Sequence, residues 1–218
     1  MNTIKRGSRG EEVRTLQRRL HLYEDGIFGA LTEAAVCEFQ LRYGLKVDGI
    51  VGQQTWQALG VDDLRSVRKS KRIINEIIVH CSATPDGRDY TVEDIKRWHL
   101  QRGFSTIGYH YVVYRDGSVH EGRSVDVSGA HCTGHNSHSI GVCYIGGLAA
   151  DGKTPKDTRT AAQREGLAWL IKSLKDVYPR ARVLGHRDTS PDKNHNGTIE
   201  PSEWIKSCPC FNAIAEYK

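Results

Sequence analysis

One pattern is written twice near the start of the chain. Asp25-Gly26-Ile27-Phe28-Gly29-Ala30-Leu31-Thr32 is echoed by Asp48-Gly49-Ile50-Val51-Gly52-Gln53-Gln54-Thr55. Self-similarity of this kind constrains the fold strongly, because one local unit must be built twice. Each copy reads as a glycine-punctuated turn feeding a short helix, with the second glycine allowing close backbone approach. Val13, Leu16 and Leu20 follow helical spacing after Glu11 and Glu12, acids that suit a helix N-terminus. Ala35, Val36 and Phe39 mark a second helix, and Trp56 and Leu59 a third. Cys37 falls inside the second helix and reads as a small buried hydrophobe. The plain alternative is a generic helical mini-bundle, which leaves the doubled pattern without a reason.

The chain has 218 residues, enough for two small domains or one large one. With 38% hydrophobic and 26% charged residues it has the composition of an ordinary soluble globular protein. Its formal charge of +5, 31 basic minus 26 acidic residues, is a mild excess. Such a surface is drawn to polyanions such as a bacterial wall or a nucleic acid, but so are many unrelated proteins. The start, MNTIKRGSRGEE, has no apolar stretch of signal-peptide type, and no run approaches membrane-spanning length. The expectation is synthesis in the cytoplasm, no membrane insertion, and action elsewhere only after release or export by another system. Without a secretion signal, the six cysteines at 37, 81, 132, 143, 208 and 210 are expected to be reduced. Val61 to Arg72 reads as a linker whose basic run is a solvated segment rather than a nucleic-acid patch.

Beyond the linker, strand and helix patterns interleave. Ile73 to His80 is an apolar, β-branched run, and Cys81 should point to the opposite face from His80. Thr91-Val92-Glu93-Asp94 resembles a capping box ahead of Ile95 and Trp98. Gly108 to Tyr114 alternates as a strand before a turn at Asp116-Gly117, and Ser139 to Gly147 is a further buried strand. Thr158 to Tyr178 reads as a long helix, and Arg182 to Gly185 as the strand that delivers His186. This order predicts a mixed α/β domain with one central sheet. His80, His186 and Cys208 are suitable zinc ligands, since neutral imidazole and thiolate both suit this ion. Three such ligands would leave one tetrahedral position for water, as in a catalytic site. Cys210 is a rival to Cys208, because residues two apart in extended chain face the same way.

The motifs resemble known families over both halves. Leu16-Gln17, Phe39-Gln40 and the doubled Asp-Gly-x-x-Gly make residues 4–60 similar to a three-helix peptidoglycan-binding domain. Residues 73–218 resemble zinc N-acetylmuramoyl-L-alanine amidases of the kind shared by phage lysozyme-amidases and peptidoglycan recognition proteins. The matching motifs are Val-His-Cys-Ser-Ala-Thr at 79–84, Gly-Tyr-His-Tyr at 108–111 and Gly-Ala-His at 129–131. Asn136 with Ser139-Ile140-Gly141-Val142, then Gly185-His186 and Lys206-Ser207-Cys208-Pro209, complete the set.

The resemblance implies a peptidoglycan-binding domain over 1–60, a linker over 61–72 and an α/β amidase domain over 73–218 with a central mixed sheet flanked by helices. It implies His80, His186 and Cys208 as metal ligands, with Tyr109 and Lys206 catalytic. The proline after Cys208 favours it over Cys210. Cys143 stands where some related amidases carry a glutamate, and no Glu stands in a motif that would make it the general base. The run His131-Cys132-Thr133-Gly134-His135-Asn136-Ser137-His138 could suggest a second metal; a polar loop lining the substrate groove is the preferred reading, with His131 either a support behind a metal ligand or a substrate contact, and Asn136 a substrate contact. The implied protein is an endolysin-like monomer acting on peptidoglycan, with no nucleic acid partner. The alternative is a non-catalytic wall sensor of the same fold, although such sensors usually lack the zinc cysteine.

One motif falls outside the family pattern. Asp192 to Glu203, DKNHNGTIEPSE, fits the calcium-loop spacing D-x-[DN]-x-[DN]-G-x₅-E. Asp192, Asn194, Asn196, Thr198, Glu200 and Glu203 would supply the oxygens. Pro191 argues against an entering helix, and a polar surface insertion is the plain alternative.

Overall fold

The computed structural model describes residues 2–59 and 67–218. The chain divides into two compact units, 1–66 and 67–218. Of the linker expected over 61–72, residues 61–66 lie outside the described residues. Residues 67–72 pack into the second unit: Val67 and Ser70 are buried, and Arg72 donates to the Val125 carbonyl at 2.8 Å.

In the first unit, α1 (Glu11–Arg19), α2 (Ala30–Arg42) and α3 (Gln53–Ala58) surround a core of Ile4, Val13, Leu16, Phe28, Val36, Val51, Trp56 and Leu59. The doubled pattern is a doubled hydrogen-bond device. Gln17, buried in α1, donates to Asp25 Oδ1 (2.7 Å) and the Ile27 carbonyl (3.1 Å) and accepts from the Gly26 N–H (2.9 Å). Gln40 in α2 repeats this with Asp48 Oδ1 (3.1 Å), the Ile50 carbonyl (3.0 Å) and the Gly49 N–H (3.0 Å). Each buried carboxamide is thereby satisfied, so neither glutamine carries a desolvation penalty.

The glycines play different parts from those expected. Gly26 and Gly49 sit at φ 73° and 68°, the left-handed region that the turn requires. The second glycines make no close approach: a Cβ on Gly29 or Gly52 would meet nothing within 4 Å. Gly29 is instead the N-cap of α2. Cys37, expected to be buried, is only half-buried.

The second unit is built on a five-stranded sheet of order β4-β3-β5-β1-β7. Its strands are β1 (Glu76–Cys81), β3 (Tyr111–Val113), β4 (Val119–Glu121), β5 (Ser139–Tyr144) and β7 (Arg182–Gly185). β3, β5, β1 and β7 run parallel, and β4 joins β3 antiparallel, so the sheet is mixed as expected. β2 (Thr84–Pro85) and β6 (Gly147–Leu148) form a separate two-stranded pair. The six residues of β1 are all buried, as a central strand covered on both faces requires. Of the helices, α4 (Val92–Gln101) starts at the capping box of Thr91 with Asp94, and its Ile95 packs on Val112, Cys143 and Ile145. A second capping box, Thr160 with Gln163, starts α5 (Ala161–Val177), which buries Leu167, Leu170, Ile171 and Leu174. The short α6 (Ala213–Glu216) ends the fold. Gly108 to His110, expected within a strand, precede β3 and lead into it.

Candidate metal centre

Sheet register brings the first two candidate ligands together. Val79 of β1 pairs with Gly185 of β7 in parallel, so the next residues, His80 within β1 and His186 just past β7, come side by side. Ligands gather at the carboxyl ends of parallel strands in many open α/β sheets. His80 Nδ1 and His186 Nδ1 lie 3.1 Å apart, and Cys208 Sγ is 3.9 Å from His80 Nδ1. All three donor atoms fall within 4.8 Å of one another. Cys208 Sγ also accepts the Cys81 N–H at 3.2 Å, and the Arg187 N–H donates to the Cys208 carbonyl at 2.7 Å. The segment is seated closely, since a Cβ on Gly185 would come 2.5 Å from Pro209 Cδ. Cys210 Sγ points away and donates to the Gly147 carbonyl at 3.3 Å.

Both histidines are held neutral. Burial first, and then the nearby His131, His186 and Lys206, push His80 well below the ordinary range. Burial and Lys206 bring His186 down to about 4. A neutral imidazole keeps one ring lone pair for a cation. Two such nitrogens at 3.1 Å beside a sulfur suit an ion that bonds to all three, and nitrogen and thiolate donors match a borderline-soft divalent metal.

Behind the centre runs a hydrogen-bonded chain. His80 Nε2 lies 3.0 Å from His131 Nδ1, His131 Nε2 lies 3.4 Å from Ser139 Oγ, and Ser139 Oγ donates to the His135 carbonyl at 2.8 Å. With the His80 Nδ1 lone pair turned to the centre, every donor in this chain runs the same way. His131 is buried, so it supports His80 from behind instead of lining an open groove. Its seat is made by two glycines: a Cβ on Gly129 or on Gly141 would come 2.4 Å from His131 Cδ2. The sequence shows both glycines in the family motifs, but only the fold shows that they face one ring.

Tyr109 packs against the same cluster, its ring tilted against those of His80 at 5.2 Å and His99 at 5.4 Å. Burial pushes its hydroxyl well above the ordinary range, so it is a neutral donor. Cys143 is fully buried beside Tyr109, and burial pushes its thiol well up, leaving it no part as a base near neutral pH. Lys206 is exposed, and its charge reaches both His80 and His186. Asn136 Oδ1 accepts the N–H groups of His131 (2.8 Å) and Cys132 (2.9 Å), so its oxygen holds the loop together.

The expected calcium ligands hydrogen-bond within their own loop. Asp192 accepts the Gly197 N–H at 2.8 Å, Asn196 Oδ1 the Thr198 N–H at 2.8 Å, and Glu203 the N–H groups of Lys193 (2.7 Å) and Glu200 (2.9 Å). Asn194 Nδ2 donates to Glu200 at 3.3 Å. These oxygens accept from the loop's own backbone, and Asp192, Glu200 and Glu203 form no metal-holding group among the described residues. The calcium expectation gains no support.

The model of the N-acetylmuramoyl-L-alanine amidase family matches residues 70–202, more than half of the chain. This chain belongs to that family. A peptidoglycan binding domain model matches residues 9–59 of the amidase. The endolysin of Enterobacteria phage K11 is 36% identical over 138 residues, covering 63% of this chain and 82% of that protein. Among solved structures, the amidase LysC from Clostridium intestinale URNW matches with a TM-score of 0.51 at 25% identity, covering 66% of this chain and 82% of that one. Drosophila PGRP-LB matches with a TM-score of 0.50 at 25% identity, covering 69% and 83%. Among the described residues, no helix of the amidase is long and apolar enough to cross a membrane.

Proposed function

We propose that this amidase is an endolysin-like wall hydrolase that cuts the amide between the lactyl group of N-acetylmuramic acid and the L-alanine of the stem peptide. The observation that carries the reading is the convergence of His80, His186 and Cys208 on one point at the strand ends. These residues would hold zinc, which when bound supplies a Lewis acid and an activated water near neutral pH.

The chain's own residues do the rest. His131 fixes the tautomer and ring plane of His80, as groups behind a metal-ligating histidine commonly do. Tyr109, kept neutral by burial, donates a hydrogen bond at the reacting amide. Lys206 places a cation where the oxyanion of the tetrahedral intermediate develops, an interaction stronger in the transition state than in the ground state. The first unit holds the enzyme on its insoluble substrate and raises the local concentration of bonds to cut. In this reading the protein acts as a monomer, has no nucleic acid partner, and reaches the wall after release or export by another system. A calcium ion in the 192–203 loop has the motif alone behind it.

A non-catalytic sensor of the same fold is the second reading; the thiolate of the donor set, present here as Cys208, speaks against it. Chelation tests the proposal. Protein stripped of metal should lose hydrolysis of a soluble muropeptide and recover it with zinc. Full turnover in the stripped protein would overturn the metal-dependent reading.

A further inference from the structure

A second group of ligand-type side chains lies at the opposite end of β1. Glu76 begins the strand, and His135 and His138 stand over it. His135 Nδ1 is 2.7 Å and His138 Nε2 is 3.4 Å from the same carboxylate oxygen, Glu76 Oε2. The donor atoms of the three residues all lie within 4.8 Å of one another. Four residue steps of extended chain, about 13 Å, separate Glu76 from His80, so this group is distinct from the centre at His80.

Local structure builds the group before any ion arrives. A 3₁₀ turn, Asn136–His138, follows His135, and in such a turn side chains three apart eclipse one another. Both imidazoles therefore fall on one side, with ring centroids 5.7 Å apart. The backbone pins the turn to the strand: the Asn75 N–H donates to the His138 carbonyl at 3.0 Å, and Glu76 pairs with Ser139. The Glu76 side chain is 4% exposed, whereas those of His135 and His138 are 29% and 34% exposed. The carboxylate is thus fixed and desolvated, while the imidazoles open to solvent and leave an entry path and room for water ligands. Arg182 Nη2 occupies only the other oxygen, Glu76 Oε1, at 2.8 Å, and its side chain is 72% exposed.

We propose that Glu76, His135 and His138 form a second divalent-metal site, of two imidazoles and one carboxylate, that takes zinc. Two histidines and a glutamate are an established zinc donor set, and preorganised ligands lower the cost of binding. Lacking a thiolate and lying next to Arg182, it binds more weakly than the centre at His80. Its occupation fixes the 131–138 loop over β1, because Ser139 Oγ donates to the His135 carbonyl and His131 from the same loop backs His80.

The test is metal stoichiometry in the full chain. Chelator-stripped protein is titrated with zinc by equilibrium dialysis and metal analysis. Wild type should take up two equivalents, the second more weakly. The double variant His135→Gln/His138→Gln should take up one, while Cys208→Ser should lose the tight equivalent and keep the weak one. Arg182→Ser, which removes a competing cation, should tighten the second equivalent severalfold. Cobalt gives an independent readout: the thiolate-to-metal absorption should saturate with the first equivalent and not grow with the second. Saturation of wild type at one equivalent, or equal uptake by wild type and the double histidine variant, would overturn the proposal and leave the cluster holding protons alone. The wild-type stoichiometry decides the matter even where a variant folds poorly.

Discussion

His131 stands behind His80: its Nδ1 lies 3.0 Å from His80 Nε2, while His80 Nδ1 on the other side of the ring lies 3.1 Å from His186 Nδ1. One imidazole thus faces the metal centre and is held from the back. Replacing His131 by Ala should lower zinc affinity by about 10- to 100-fold, the usual cost of losing such a support. Gly141→Ala should produce a similar defect without touching any ligand, since its Cβ would meet the His131 ring at 2.4 Å. Competition with a chromophoric chelator measures both; wild-type affinity in both variants would show that His131 does not position His80.

Cys208 and Cys210 differ sharply in place. Cys208 Sγ belongs to the three-atom group, whereas Cys210 Sγ is committed to the Gly147 carbonyl. Cys208→Ala should abolish tight zinc binding and hydrolysis, and Cys210→Ala should keep most of both. The reverse pattern would assign the thiolate to the wrong cysteine.

Lys206 is exposed and close enough for its charge to reach both histidines. Lys206→Ala should keep the bound zinc and KM but lower kcat by about 100-fold or more, the loss expected when a donor to a developing oxyanion is removed. Metal loss in parallel with activity would make Lys206 a support for the centre.

Arg159 is the buried cation of the second unit, with its side chain 1% exposed between Asp157 and Glu216 and its guanidinium over the Phe211 ring. The hydrogen bond from Arg159 holds the Glu216 carboxyl below its ordinary value of 4.5. A depressed folded-state pKa gives stability that is present above the unfolded value and lost as pH falls through the folded one. Glu216→Gln should cost about 1–3 kcal/mol at neutral pH, because Arg159 loses an ionised partner. That deficit should shrink as pH falls below 4.5, where wild type loses the same interaction. Urea unfolding followed across this range checks it; a deficit independent of pH would separate Glu216 from the acid response.

Much of this arrangement is legible in the sequence, for physical reasons that differ by element. β1 and α5 announce themselves because a buried strand needs an unbroken apolar run and a one-sided helix needs a stripe. The duplicated turns are visible because the same buried glutamine must be satisfied twice, by Asp25 and by Asp48. His80, His186 and Cys208 are legible as ligand types, but the register that brings them within reach is a property of the sheet. For His131 the sequence leaves a support behind a ligand and a substrate contact both open, since no local pattern shows that Gly129 and Gly141 clear a buried seat for its ring. Glu76 has the same difficulty: an acid opening an apolar strand carries no sign of histidines fifty-nine and sixty-two residues later. The 192–203 loop shows the converse, a motif with no support beyond its spacing, whose oxygens accept N–H groups of its own backbone.

The most direct test is digestion of purified peptidoglycan by the zinc-loaded protein, with the new ends identified by mass spectrometry. Cleavage at the lactyl amide predicts free L-alanine amino termini and no new reducing sugars. New reducing ends without free L-alanine would make the enzyme a glycosidase and contradict the account at its centre.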